Sequence, residues 1–262
     1  MAGETEQLTP PGLLLTFTEG PRAFWDLLTL PSHSWLLGRA PEGDGHPVMV
    51  LPGFLTDDAS TWILRRYLKS WGYEAYGWGL GRNLGPMRKG FQEDLAIRFD
   101  EIAQRHGESV SLVGQSLGGV YARSLAKLAP DYVRQVITLG SPFAGEAGAA
   151  SVTVAVYEYL NDGRPSRSDH DIFHQMHAPL PVPATSIYSK LDGIVSWPNS
   201  IQVVSDQSEN VEVCCSHVGM GFSAPVLYVV ADRLAQKADE WAPFDRAGLK
   251  SMVYPQPVSA AA

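Results

Sequence analysis

The sequence predicts an α/β fold: a mostly parallel central sheet of about six strands, flanked by helices and carrying a short cap insertion. Three observations predict it. From residue 47 onward, short apolar runs alternate with segments whose apolar residues recur at helical spacing. Runs such as PVMVL are continuous, which suits strands covered on both faces. Each run also ends in a turn rich in Gly, Pro, Ser or Asp, and in parallel sheets ligands gather at those carboxyl ends.

At 262 residues, with 45% hydrophobic and 18% charged side chains, the chain suits one domain spanning 1–262. Residues 1–46 read as an N-terminal arm and 143–182 as a cap insertion between strands. A net charge of −8 with no run of Lys and Arg excludes a nucleic-acid partner. No apolar stretch is long enough to cross a bilayer, and the opening MAGETEQLTPPG is the wrong start for a secretory signal, so a cytoplasmic location is expected. Cys214 and Cys215 are adjacent and expected to be two buried thiols at a strand end, because a bridge between neighbours strains the peptide.

In the arm, Leu13 to Phe17 is expected as a short strand, and Phe24, Trp25, Leu27 and Leu28 as the apolar face of a helix. Those aromatics suit packing onto the main domain better than transient contact with a lipid surface. The first strong strand is Pro47 to Leu51, ending at Pro52-Gly53-Phe54-Leu55. Asp57 or Asp58 is expected to cap a helix carrying Ile63, Leu64, Tyr67, Leu68 and Trp71. A strand at Tyr73 to Trp78 leads into GLGRNLGP. That loop fails as a dinucleotide fingerprint, since Leu84 stands where the third glycine is needed. Met87, Phe91, Leu95, Phe99 and Ile102 form the stripe of a long helix closed by Gly107.

Ser109 to Ala129, SVSLVGQSLGGVYARSLAKLA, reads as strand, sharp turn and helix, with Ser116 at the tip of a G-x-S-x-G frame. Further strands are expected at Val133 to Leu139, Ala184 to Tyr188 and Val211 to Cys215, and a closing helix carries Leu227, Val230, Ala231, Leu234 and Ala235. Four candidate groups then stand at strand ends: Gly53-Phe54, Ser116, Asp192 and His217.

A serine hydroxyl needs a base to become a nucleophile, and the base needs an acid to fix its tautomer. Ser116, His217 and Asp192 fill those roles in the chain order Ser, Asp, His. Asp206 is a weaker candidate acid, in a polar turn. The backbone amides of Leu117 and Phe54 are the expected oxyanion donors. Leu55, Phe143, Val218 and Met220 are expected to line an apolar substrate cleft. His170, His174 and His177 are spaced so that two could share a helical face, but H-E-x-x-H is absent and no metal or other cofactor is expected.

With those residues in place, the chain resembles the α/β-hydrolase family, and within it the bacterial lipase and esterase group. VMVLPGFLTDDAST is similar to that group's oxyanion segment, LVGQSLGGVYAR to its nucleophile elbow, and VITLGSPFAG to its next strand and turn after the nucleophile. SKLDGIVSW and CSHVGMGF are similar to the segments of the acid and the histidine. The resemblance spans about residues 47–238 and departs at Pro52-Gly53, where many lipases have His-Gly. It implies cleavage of a small-molecule or lipid carboxylic ester through an acyl-enzyme. An acyltransferase on the same triad and a non-catalytic binding protein are the alternatives.

Overall fold

The computed structural model describes residues 10–85, 90–144, 179–237 and 240–255. Its frame is a six-stranded sheet with every pairing parallel. The strands are β1 (Pro47–Leu51), β2 (Glu74–Gly77), β3 (Val110–Gln115), β4 (Val133–Leu139), β5 (Ala184–Tyr188) and β6 (Ser208–Glu212). Their spatial order is β2-β1-β3-β4-β5-β6.

The pleat explains the unbroken apolar runs. In β1, Val48 and Val50 join one core, while Met49 and Leu51 join another on the opposite face. Helices cover both cores. The first packs against α3 (Ser34–Leu37), α4 (Trp62–Ser70) and α7 (Ala224–Leu234); the second against α5 (Phe91–His106) and α6 (Leu117–Leu128). In α5, Phe91, Leu95, Phe99 and Ile102 are all buried, as the stripe requires. Met87 and nearly all of the cap insertion lie outside the described residues.

Four expectations are corrected. Leu13–Phe17 is a helix, α1, which leads directly into α2 (Glu19–Thr29). A five-residue apolar run carries no periodicity that separates helix from strand, and here Thr18 N–H closes the turn onto Leu14 O at 3.0 Å. Helix α4 is preceded by Thr61, and the two aspartates serve elsewhere. Asp57 accepts from Ala59 N–H at 2.9 Å, while Asp58 accepts from Trp78 and Gly79 N–H beyond β2 at 2.9 and 3.0 Å. The last strand lies three residues earlier than Val211–Cys215. Its polar residues are buried with partners: Ser208 with Ser205 and Val203 O, Glu209 with Gln202 and Arg233, Asn210 with Gln202, and Glu212 with Tyr188 and Lys190. Finally, Cys214 is exposed; only Cys215 is buried.

The arm does pack on the domain, but not through its aromatics. Phe24, Trp25 and Leu28 are 58% or more exposed, while Glu19 and Ala23 face inward.

Candidate active site

Strand β3 delivers Ser116 to a turn with φ 51° and ψ −124°, one of two non-glycine residues with positive φ among those described. Such a backbone persists only where its surroundings hold it. Ser116 N–H donates to Leu139 O at 2.8 Å, tying the turn to the end of β4. The helix behind is drawn in tightly. A Cβ on Gly118 would lie 2.3 Å from Leu51 O, and one on Gly119 would lie 2.0 Å from Ser141 Oγ. Glycine at both positions is therefore a packing requirement. Leu117 opens α6, so its N–H has no acceptor inside the helix.

Asp192 follows β5 and His217 follows β6. The two meet at Nδ1···Oδ2 2.6 Å, both nearly buried. The other carboxylate oxygen of Asp192 accepts from the N–H groups of Ile194 and Val195 at 2.8 and 2.7 Å. Three donors thus fix its orientation. Burial pulls the His217 pKa down, but the charge and hydrogen bond of Asp192, with the charge of Glu19, outweigh burial and leave it above the ordinary value of 6.5.

Ser189 stitches the two loops at their roots. Its hydroxyl donates to Cys215 O at 2.7 Å and accepts from Leu191 N–H at 3.1 Å. The side chain of Gln115, beside Ser116, donates to His217 O at 3.2 Å.

Ser116 and His217 open onto one cleft of about 340 Å³, lined also by Gly53, Phe54, Leu55, Thr56, Ser60, Gln115, Ile194, Val218 and Phe222. Of the residues expected to bind substrate, Leu55 and Val218 line it. Phe143 is buried under the Arg123 guanidinium, 4.1 Å from its ring centroid, and Met220 is buried in the core beneath Gly140. Asp206 is exposed. Among the described residues no cluster of three His, Cys, Asp or Glu could hold a metal; His170, His174 and His177 lie outside them.

The loop carrying Phe54 is held by a residue the sequence did not single out. Asn83 is fully buried, and its side-chain amide donates to Pro52 O at 2.9 Å. Its backbone exchanges hydrogen bonds with the same loop: Leu55 N–H to Asn83 O, and Asn83 N–H to Thr56 O, both 2.7 Å. The GLGRNLGP loop is thus the brace of the Phe54 loop. An asparagine between two glycines in a loop is the signal that was available.

Residues 92–236, more than half of the chain and including Ser116, Asp192 and His217, match the PGAP1-like alpha/beta domain family. The chain belongs to that family. No curated protein matches the sequence. Among solved structures, the fold is similar to the mature Bacillus licheniformis lipase BlEst2, at 18% identity, a TM-score of 0.56, 76% of this chain and 95% of that one. It is similar also to the structure described as LipS and LipT, two metagenome-derived lipolytic enzymes, at 16% identity, a TM-score of 0.55, and 74% and 93% coverage. A third is mouse alpha/beta hydrolase domain-containing protein 10, at 18% identity, a TM-score of 0.52, and 73% and 88% coverage. At these identities the likeness establishes the fold: this PGAP1-like chain has the α/β-hydrolase fold. No helix among the described residues is long and apolar enough to cross a membrane.

Proposed function

We propose that this PGAP1-like protein is a serine hydrolase of carboxylic esters. The observation that supports this reading best is the His217–Asp192 pair at 2.6 Å, with His217 lining the same cleft as Ser116 on its strained turn. With Nδ1 engaged by Asp192, Nε2 is the ring nitrogen left to serve as base. Ser116 Oγ attacks the ester carbonyl as His217 takes its proton. The N–H groups of Leu117 and Phe54 donate to the oxyanion, Leu117 with the added field of the α6 N-terminus. Collapse breaks the acyl–oxygen bond, and His217 returns the proton to the departing alcohol. Water, deprotonated by His217, then releases the acid and regenerates Ser116.

The substrate proposed is an ester with an apolar acyl group. Phe54, Leu55, Ile194, Val218 and Phe222 give the cleft an apolar wall, and among the described residues that line it there is no Lys or Arg to attract an anionic acid. Lipases and lipolytic enzymes among the similar folds are compatible with that choice.

The test is turnover of a p-nitrophenyl ester series of increasing chain length by the wild-type protein and Ser116→Ala. Hydrolysis by the wild type, lost in a folded Ser116→Ala protein, is expected. Equal turnover by both would remove Ser116 from the chemistry.

A further inference from the structure

We propose that Glu19, on the N-terminal arm, is a positioning residue that fastens the Asp192 loop to the His217 loop, so that the arm sets the geometry of the acid–base pair. The inference rests on the triad reading and goes beyond it, since Glu19 lies outside the span matched by the family.

Glu19 opens helix α2 and is only 7% exposed. One of its carboxylate oxygens accepts from Val218 N–H at 2.9 Å, directly after the histidine. The other accepts from Gly193 N–H at 3.1 Å, directly after the acid. A single carboxylate therefore spans the two loops whose side chains must meet. Arg22 pairs with it at 2.8 Å and also donates to Leu191 O and Leu15 O, which offsets the cost of burying the charge.

The rest of the arm repeats the pattern. Thr16 Oγ1 donates to Gly193 O at 2.8 Å. Asp26, two turns beyond Glu19 on the same helix, accepts from both Ser216 N–H and Ser216 Oγ at 3.0 and 2.6 Å. The loops are shaped to receive it: a Cβ on Gly193 would lie 2.3 Å from Leu15 O, and one on Gly219 would lie 2.1 Å from Asp26 Oδ2. Both glycines have ordinary φ, so the contact with the arm, not a turn conformation, is what excludes a side chain. A purely structural arm would need burial of its apolar side chains. Farther along, the arm does bury Leu30, Leu36 and Leu37, but α1 and α2 leave Leu13, Leu14, Phe17, Phe24, Trp25 and Leu28 outside and direct their buried polar groups to the residues flanking Asp192 and His217.

Glutamine at position 19 keeps the shape but turns one acceptor oxygen into an NH₂ donor, which faces an N–H and cannot bond it. One loop then loses its anchor. Misplacement on the scale of an ångström costs up to about 100-fold in rate. The charge also counts. The groups around His217 are Asp192 and Glu19, with Arg22 paired to Glu19, Asp26 on the neighbouring Ser216, and the thiol of Cys215, which burial holds protonated.

The experiment compares wild type with Glu19→Gln, Glu19→Asp and a distant charge-loss control, Glu42→Gln. Amide exchange at Gly193 and Val218 is read alongside ester kcat, KM and the pH profile of kcat/KM. In Glu19→Gln, exchange is expected to quicken at one or both amides, kcat to fall by about 10- to 100-fold with KM little changed, and the acidic limb to move to lower pH; Glu42→Gln should match wild type. Glu19→Asp keeps the charge but is one methylene too short to reach both amides, so it should lower kcat without moving the limb, and it carries the test if Glu19→Gln does not fold. Unchanged exchange at both amides in the folded variants, or unchanged kcat in an active enzyme, overturns the proposal. The exchange measurement needs no turnover. A wild type that cleaves no ester would therefore count against the triad reading, while exchange alone decides the fate of Glu19.

Discussion

His217 Nδ1 and Asp192 Oδ2 lie 2.6 Å apart, although their loops leave different strands, β5 and β6. With its other oxygen held by Ile194 and Val195 N–H, the carboxylate has one orientation to offer. Replacing it by asparagine preserves size but supplies an NH₂ where His217 needs an acceptor. Asp192→Asn is expected to lower kcat by about 10³- to 10⁴-fold with little change in KM. Steady-state kinetics on a p-nitrophenyl ester check this, and a loss under tenfold would mean that Asp192 does not orient the base.

The same pair sets a pH dependence. Burial lowers the His217 pKa, yet Asp192 and Glu19 raise it further, so the imidazole holds its proton above the ordinary 6.5. Only the neutral ring can act as base. Activity should therefore fall as pH drops through that raised value, placing the acidic limb of kcat/KM above pH 6.5. In Asp192→Asn the stabilising charge is gone while burial persists, so the limb should shift to lower pH. A limb that stays in place when Asp192 is neutralised would assign it to another group.

Asn83 gives a prediction about the oxyanion loop. Its side chain is fully buried and donates to Pro52 O, two residues before Phe54. Asn83→Ala leaves Pro52 O without that donor, at about 1–3 kcal/mol. Thermal unfolding should show a lower Tm. In addition, kcat should fall more than KM rises, because the proposed Phe54 donor acts in the transition state. A variant that loses stability but keeps wild-type kcat at a permissive temperature would make Asn83 a scaffold residue alone.

The Ser116 turn carries a prediction about stability. At φ 51° and ψ −124° a Cβ is crowded, and such strain costs about 1–3 kcal/mol. Ser116→Ala retains the Cβ and the strain; Ser116→Gly removes both. Although glycine adds unfolded-state entropy, relief of strain is the larger effect at positive φ. Ser116→Gly should unfold at higher denaturant concentration than Ser116→Ala. The reverse order would show an unstrained turn.

Most of the sheet was legible because continuous apolar runs such as Pro47–Leu51 and Val133–Leu139 admit few alternatives, and the structure places both strands at those bounds. The placement of Ser116, Asp192 and His217 at strand ends was legible because each follows a strand in a recognisable frame. Strand β6 was read late because its buried side chains are polar, and periodicity cannot register burial that depends on Gln202 and Arg233. Phe143 and Met220 are apolar and near the right motifs, yet local sequence does not say which way a side chain turns. The contacts of Glu19, Asp26 and Asn83 were invisible for a related reason. Asn83 meets Pro52, Asp26 meets Ser216 and Glu19 meets Val218 across 31, 190 and 199 residues, and no local pattern encodes such a meeting.

The most direct test of Ser116 as nucleophile is covalent labelling by a fluorophosphonate, followed by peptide mass spectrometry. One adduct per chain on the peptide containing Ser116 is expected, absent in Ser116→Ala and formed far more slowly in His217→Ala. An unlabelled wild-type protein, or an adduct at another residue that persists in Ser116→Ala, would contradict the assignment.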